Sequence, residues 1–268
     1  MEKLPEMKVF LNYTRSQETG VRSKETGGWS KEPLLMFHGF GQSASVFEGI
    51  QGYSFDLFFH GQSVWNKGEE PLEKSEWKEI MSDFLDKNNI KTFSLLGFSM
   101  GGKFALATLE AFPDRVEEII LLAPDGIKTS FWYSLATYPI ALRKFFKGMI
   151  GNHERFLRIA RISKKLGLID KGVLRFVETQ MNSEEKRKRV YYSWVVFRHL
   201  KFDLDTIGRL IDQHNIKLKL YVGRHDKIIT PESMKHLTSR IRNATFEILE
   251  AGHNDMIRVA KDYLPKSS

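Results

Sequence analysis

The chain contains no cysteine, which excludes disulfides, thiolate nucleophiles, iron–sulfur clusters and thiolate zinc sites together. Any covalent catalysis must use another side chain. No apolar run approaches the roughly 18 residues needed to span a bilayer. The N-terminal MEKLPEMKVF lacks the basic, apolar and small-residue segments of a secretory signal, so a cytoplasmic location is expected. Internal repeats and long Pro/Gly/Ser linkers are also missing, and element boundaries must be read from periodicity and breakers.

What is present is an ordinary globular composition, with 28% charged and 41% hydrophobic residues in 268, enough for one α/β domain. The net charge of +8 is unevenly spread. Residues 127–209 hold 18 Lys and Arg against 7 Asp and Glu, and the remainder is slightly acidic.

Lys8–Thr14 alternates apolar and polar residues as a half-buried strand does. Short continuous apolar runs follow at Pro33–Phe37, Ser54–Phe59, Thr92–Leu96 and Glu118–Leu122, and these read as strands buried on both faces. Helical spacing separates them at Leu72–Leu85 and at Ser99–Phe112, the latter stopped by Pro113. Alternating strands and helices imply right-handed crossovers and a mostly parallel sheet flanked by helices. The alternation resumes with a strand at Lys217–Val222, a helix at Pro231–Ile241, a strand at Thr245–Leu249 and a last helix after His253. Residues 1–126 and 210–268 are therefore expected to form the core, and the aromatic, basic and helical stretch 127–209 an insertion.

One motif follows a buried-strand run and opens a helix: Gly97-Phe98-Ser99-Met100-Gly101-Gly102, a match to G-x-S-x-G. That spacing sets a serine on a strained strand-to-helix turn, where small neighbours let the turn close and the helix N-terminus favours a developing anion. Here the sequence resembles the α/β-hydrolase fold superfamily, its serine-nucleophile branch with a helical cap, over nearly the whole chain. His38-Gly39-Phe40-Gly41 is similar to the family's H-G-x-G loop. The resemblance implies an oxyanion hole formed by the backbone N–H groups of Phe40 and Met100. Asp56–Ser63 looks like the family's D-x-x-G-H-G-x-S signature, with Phe59 in place of a glycine.

The resemblance also implies a chain order of nucleophile, acid, histidine. Gly223-Arg224-His225-Asp226 is similar to the loop that carries the acid, and Ala251-Gly252-His253-Asn254 to the loop that carries the base. The catalytic set expected is Ser99, Asp226 and His253, with Asp125, directly after the Glu118–Leu122 strand, as the alternative acid. His38 and His60 read as structural residues that fix loops beside the site. No carboxylate stands at position 99, which argues against the dehalogenase and epoxide hydrolase chemistries of this fold. No cofactor and no metal are expected.

By the same resemblance the 127–209 insertion is a cap that sets specificity. It holds 13 of the chain's 33 aromatic residues, among them Phe131, Trp132, Tyr133, Phe145, Phe146, Tyr191, Tyr192 and Trp194. These either roof an apolar pocket or pack the cap. Glu184–Arg189 reads as a solvated helix face. Arg143, Lys144, Lys147, Arg155, Arg158, Arg161, Lys164 and Lys165 interleave with apolar residues, a pattern that suits anionic lipid or an anionic substrate. No nucleic-acid-binding signature accompanies the charge. The function expected is cleavage of a carboxylic ester or thioester of a small to medium apolar acyl substrate through an acyl-enzyme. Two alternatives stand beside it: a carbon–carbon bond hydrolase or pyruvate-eliminating lyase with the same three residues, and a non-catalytic ligand-binding receptor of the same fold.

Overall fold

The computed structural model of the protein describes residues 9–16, 32–127, 140–148, 181–238 and 244–264, with positions 150, 154, 158, 162 and 241. Contacts divide the chain into two compact units, one of Met1–Trp65, Glu73–Lys128 and Leu200–Ser268, the other of Asn66–Leu72 and Thr129–His199.

The first unit is built on a seven-stranded sheet in the order β2-β4-β3-β6-β7-β8-β9. Its strands are β2 (Tyr13–Ser16), β3 (Leu34–Phe37), β4 (Gly52–Phe55), β6 (Phe93–Phe98), β7 (Val116–Leu122), β8 (Lys217–Gly223) and β9 (Ala244–Leu249). β2 pairs antiparallel with β4, and every other pairing in this sheet is parallel. A separate antiparallel pair joins β1 (Val9–Phe10) to β5 (Val64–Trp65). Among the described residues, the α-helices of this unit are α1 (Lys74–Lys87), α2 (Gly101–Ala111), α5 (Leu204–Gln213), α6 (Pro231–Thr238) and the short α7 (Met256–Ala260).

The continuous apolar runs have the cause expected of them, because both sheet faces are covered. On one face an aromatic cluster forms: Phe37 stacks on Phe55 with centroids 5.1 Å apart, and Trp77 of α1 meets Phe104 of α2 at 5.0 Å. Trp77 Nε1 donates to Thr108 Oγ1 at 3.0 Å, so the buried indole keeps a partner. The opposite face takes the alternate strand residues Leu34, Met36, Leu96, Phe98, Ile120 and Leu122, packed with Met256, Ile257 and Ala260 of α7.

Two expected strands differ in extent. The Lys8–Thr14 run is interrupted, because Asn12 turns its N–H to Ser63 Oγ at 2.7 Å and its side chain to Asp56 Oδ2 at 2.9 Å. The Ser54–Phe59 run is strand only as far as Phe55. Beyond it the Asp56 carboxylate accepts from the N–H groups of Ala44 (2.8 Å) and Gln62 (2.9 Å), which closes a loop that an extended strand could not make.

Chain order places the site. The chain passes from β3 to β4 on one side and then to β6 on the other, so sequence direction reverses at β3. The C-terminal edge at such a reversal is where open parallel sheets leave a crevice. β3, β6, β8 and β9 end there in His38, Ser99, Arg224 and Glu250.

Among its described residues the second unit contains α3 (Ile140–Gly148), α4 (Glu184–Val196) and the 3₁₀ turn Phe197–His199. Phe146 packs on Tyr191 and Trp194 at 5.3 and 5.8 Å. Glu69 pairs with Lys147 and lies 3.8 Å from Arg143. Burial works to raise its carboxyl, but the Lys147 and Tyr191 hydrogen bonds hold it below the ordinary range. The expected solvated face of Glu184–Arg189 is so in part: Lys188–Glu184 (2.8 Å) and Arg189–Glu185 (3.1 Å) are exposed pairs. Arg187 departs from it, buried and donating to the carbonyls of Ile150 (2.6 Å) and Met181 (3.1 Å). Of the aromatics expected in the insertion, Phe131, Trp132 and Tyr133 lie outside the described residues, as do the basic positions Arg155, Arg161, Lys164 and Lys165.

Candidate active site

Ser99 leaves β6 with φ 50, a left-handed conformation rare in a non-glycine residue. The turn is held from both sides. Ser99 N–H donates to Leu122 O at 3.0 Å, and its carbonyl accepts from Gly102 (2.8 Å) and Asp125 (2.8 Å). A side chain at Gly101 would lie 2.0 Å from Phe37 O, so only glycine lets α2 start this close to β3.

His253 Nε2 lies 3.0 Å from Ser99 Oγ. Its Nδ1–H donates to Asp226 Oδ2 at 2.6 Å. The other carboxylate oxygen, Oδ1, accepts from Ile228 (2.8 Å) and Ile229 (2.9 Å). Three N–H donors on one buried carboxylate match an ionised acceptor, and the Nδ1–H bond leaves Nε2 with its lone pair toward the serine. The acid and base loops are also joined through backbone, Arg224 N–H to Leu249 O (2.8 Å) and His225 N–H to Ala251 O (3.0 Å).

Of the two candidate acids, the structure brings Asp226 to His253. Asp125 instead pairs with Lys103 of α2 at 3.1 Å and accepts from Gly126 N–H at 2.7 Å. Its tie to the site is the backbone N–H bound to the Ser99 carbonyl.

Phe40 lies in the loop after β3, and Met100 is the N-cap of α2, where the first N–H groups have no intrahelical acceptor. The loop around Phe40 is fixed by two buried imidazoles. His60 Nε2 accepts from Gly41 N–H at 2.9 Å, so its Nδ1–H donates to Phe58 O at 3.0 Å. His38 Nε2 accepts from Leu57 N–H at 3.0 Å, and its Nδ1–H donates to Gly39 O at 2.7 Å. Both rings are therefore neutral Nδ1–H tautomers acting on loop backbone. Gly39 N–H is taken by Gln42 Oε1 at 3.0 Å, a contact sequence reasoning missed. Phe59, in the place of the usual glycine, adopts φ 68, so the turn is the glycine turn with a phenylalanine in it. His199, His214 and His225 take no part in this cluster, and His153 lies outside the described residues. Among the described residues no group of three or more His, Asp or Glu is arranged to hold a metal ion.

This arrangement can move a proton from Ser99 to His253 while Asp226 steadies the imidazolium. Comparison with known proteins speaks to the family and the fold. A family model described as alpha/beta hydrolase fold matches residues 32–258. A protein of Mycoplasma genitalium named "Putative esterase/lipase 2" is 24% identical over 238 residues, covering 84% of this chain and 83% of that one. Among solved structures, a thermophilic esterase from Thermogutta terrifontis superposes with TM-score 0.60 at 17% identity, covering 95% of this chain and 89% of its own. A meta-cleavage product hydrolase from Pseudomonas fluorescens does so with TM-score 0.58 at 17% identity, over 95% and 91%. At such identities the two structures speak for the fold.

Proposed function

Since the chain belongs to the α/β-hydrolase fold family, we propose that it is a serine hydrolase that cleaves a carboxylic ester or thioester of a small to medium apolar acyl group. An esterase/lipase-like hydrolase accords with the names of its relatives. The observation that carries serine-based acyl transfer is the continuous relay from Asp226 through His253 to Ser99, 2.6 and 3.0 Å. Ser99 Oγ would attack the acyl carbon as His253 takes its proton. The alkoxide or thiolate would leave with that proton, and water, activated by the same imidazole, would release the acid. The N–H groups of Phe40 and Met100 would hold the charge that appears on the carbonyl oxygen. The 127–209 segment would act as the cap, with α3 offering anionic lipid a surface on which Ile140 and Phe145 are exposed beside Lys144 and Lys147.

The test is a fluorophosphonate probe followed by a chain-length series of nitrophenyl esters. The parent is expected to be labelled and Ser99→Ala not. Removal of Ser99 or His253 is expected to lower kcat by about 10⁴ to 10⁶. Labelling without turnover of any ester or thioester would turn the reading to carbon–carbon bond cleavage. No labelling of the parent would turn it to a ligand-binding receptor.

A further inference from the structure

The residue before the nucleophile is a phenylalanine at 2% exposure, and it faces away from α2, among the core residues beneath α7. Its ring meets two loops. One is the base loop, where the rings of Phe98 and His253 lie with centroids 5.2 Å apart and planes 35° from parallel. The other is the loop after β3. A Cβ added to Gly39 would stand 2.8 Å from Phe98 Cε1 and 2.9 Å from Cδ1, distances that real side chains do not reach. The phenyl ring occupies the space over Gly39 and at the same time backs the imidazole.

From this geometry we infer that Phe98 is a positioning residue that couples the loop holding the oxyanion donor to the catalytic base. Two physical effects follow. The ring limits how far the imidazole can tilt, because the space against it is filled by a side chain packed in the core. Its ring centroid, 5.2 Å from that of the imidazole, also lies within the roughly 6 Å over which a cation is attracted to an aromatic ring, so it favours the imidazolium that forms when His253 takes the serine proton. Asp226, on Nδ1, is the charged group bound to this ring, and the aromatic face acts in addition to it. A residue that gains contact energy only as charge develops lowers the barrier instead of merely tightening the ground state.

The inference rests on the esterase reading, and the experiment keeps the two apart. The parent, Phe98→Leu and a chain carrying 3,4,5-trifluorophenylalanine at position 98 are compared by the pH dependence of kcat/KM on 4-nitrophenyl acetate. Titration of the His253 ring proton by NMR is followed in the same proteins, which requires no turnover. Leucine removes the π face and keeps most of the bulk, while fluorination removes the π charge and keeps the shape. Both are expected to move the acid-limb midpoint and the NMR midpoint down by at least about half a pH unit, the size of an exposed cation–π contact. Coupling is read separately. Gly39→Ala alone is expected to lose at least tenfold in kcat, and Gly39→Ala with Phe98→Leu to recover most of that loss, because the smaller side chain admits the new methyl.

NMR midpoints unchanged in both the leucine and the fluorinated chain would overturn the inference whether or not the parent hydrolyses esters. Failure of the double variant to improve on Gly39→Ala would overturn the coupling. A parent unreactive toward fluorophosphonate, with the NMR shift present, would defeat the esterase reading and leave the contact between the rings standing.

Discussion

Asp56 is a carboxylate at 4% exposure that carries no catalytic duty and yet shapes the site. Burial works against its charge, but N–H groups of Ala44, Gln62 and Asn12 hold its pKa below the ordinary 3.8. A folded-state pKa below the unfolded one contributes stability fully above pH 3.8, and that contribution is lost as the pH falls through the lower folded value. Asp56→Asn is therefore expected to cost about 2 kcal/mol at pH 7. The gap between parent and variant should narrow in urea titrations run below pH 4, and a gap independent of pH would refute the assignment. Phe59 presents the opposite case, since its φ of 68 is one glycine adopts freely. Phe59→Gly removes about 1–2 kcal/mol of left-handed strain and gives up the contacts of a half-buried ring. With the extra chain entropy of glycine the losses offset the relief, so a Tm within about 2 °C of the parent's is expected, and calorimetry measures it.

At the scale of elements, much of the sheet could be read from continuous apolar runs, because helices on both faces leave no polar side for the strands to show. The structure departs from the apolar runs where side chains override propensity. Leu57, Phe58 and Phe59 extend an apolar run past the end of β4, but Asp56 needs its donors more than the strand needs its length. Asn12 breaks the first strand for the same partner. The sequence also holds a subtler signal. Asp86-Lys87-Asn88-Asn89-Ile90 and Asp212-Gln213-His214-Asn215-Ile216 end α1 and α5 in the same way, with Asn89 and Asn215 at φ 54 and 53. Ile90 N–H reaches Leu85 O and Ile216 N–H reaches Ile211 O, each at 2.9 Å, which satisfies carbonyls the helix leaves open. Asparagine tolerates this conformation and alanine does not, so Asn89→Ala and Asn215→Ala are each expected to lower stability by about 1 kcal/mol. Denaturant midpoints should show the two losses adding, since the helix ends share no partner.

Across the whole chain, the candidate site was more legible than the segment expected to cover it. Ser99, Asp226 and His253 each follow a strand, and parallel strands bring their C-terminal ends to one edge, so order along the chain became proximity. The choice between Asp226 and Asp125 was not decidable from spacing, because both follow strands. Lys103, four residues after Ser99 on α2, draws Asp125 aside, and a pairing of that kind has no periodic signature. Segment 127–209 offered only composition, and composition names no contacts. What it does specify is charge, with 18 basic residues against 7 acidic. Such a surplus should retain the protein on vesicles rich in anionic lipid at low ionic strength and release it as salt shortens the screening length from about 30 to 3 Å. Sedimentation with vesicles across a salt series measures this, and equal binding to neutral vesicles would set charge aside.

The left-handed turn at Ser99 has a consequence for anyone who tries to improve this protein. Its φ of 50 suits glycine, so Ser99→Gly should melt about 2–4 °C higher than the parent while losing its nucleophile. A library ranked by heat resistance alone would reward that change. Thermal selection at this position drifts toward dead protein unless turnover is scored in the same round.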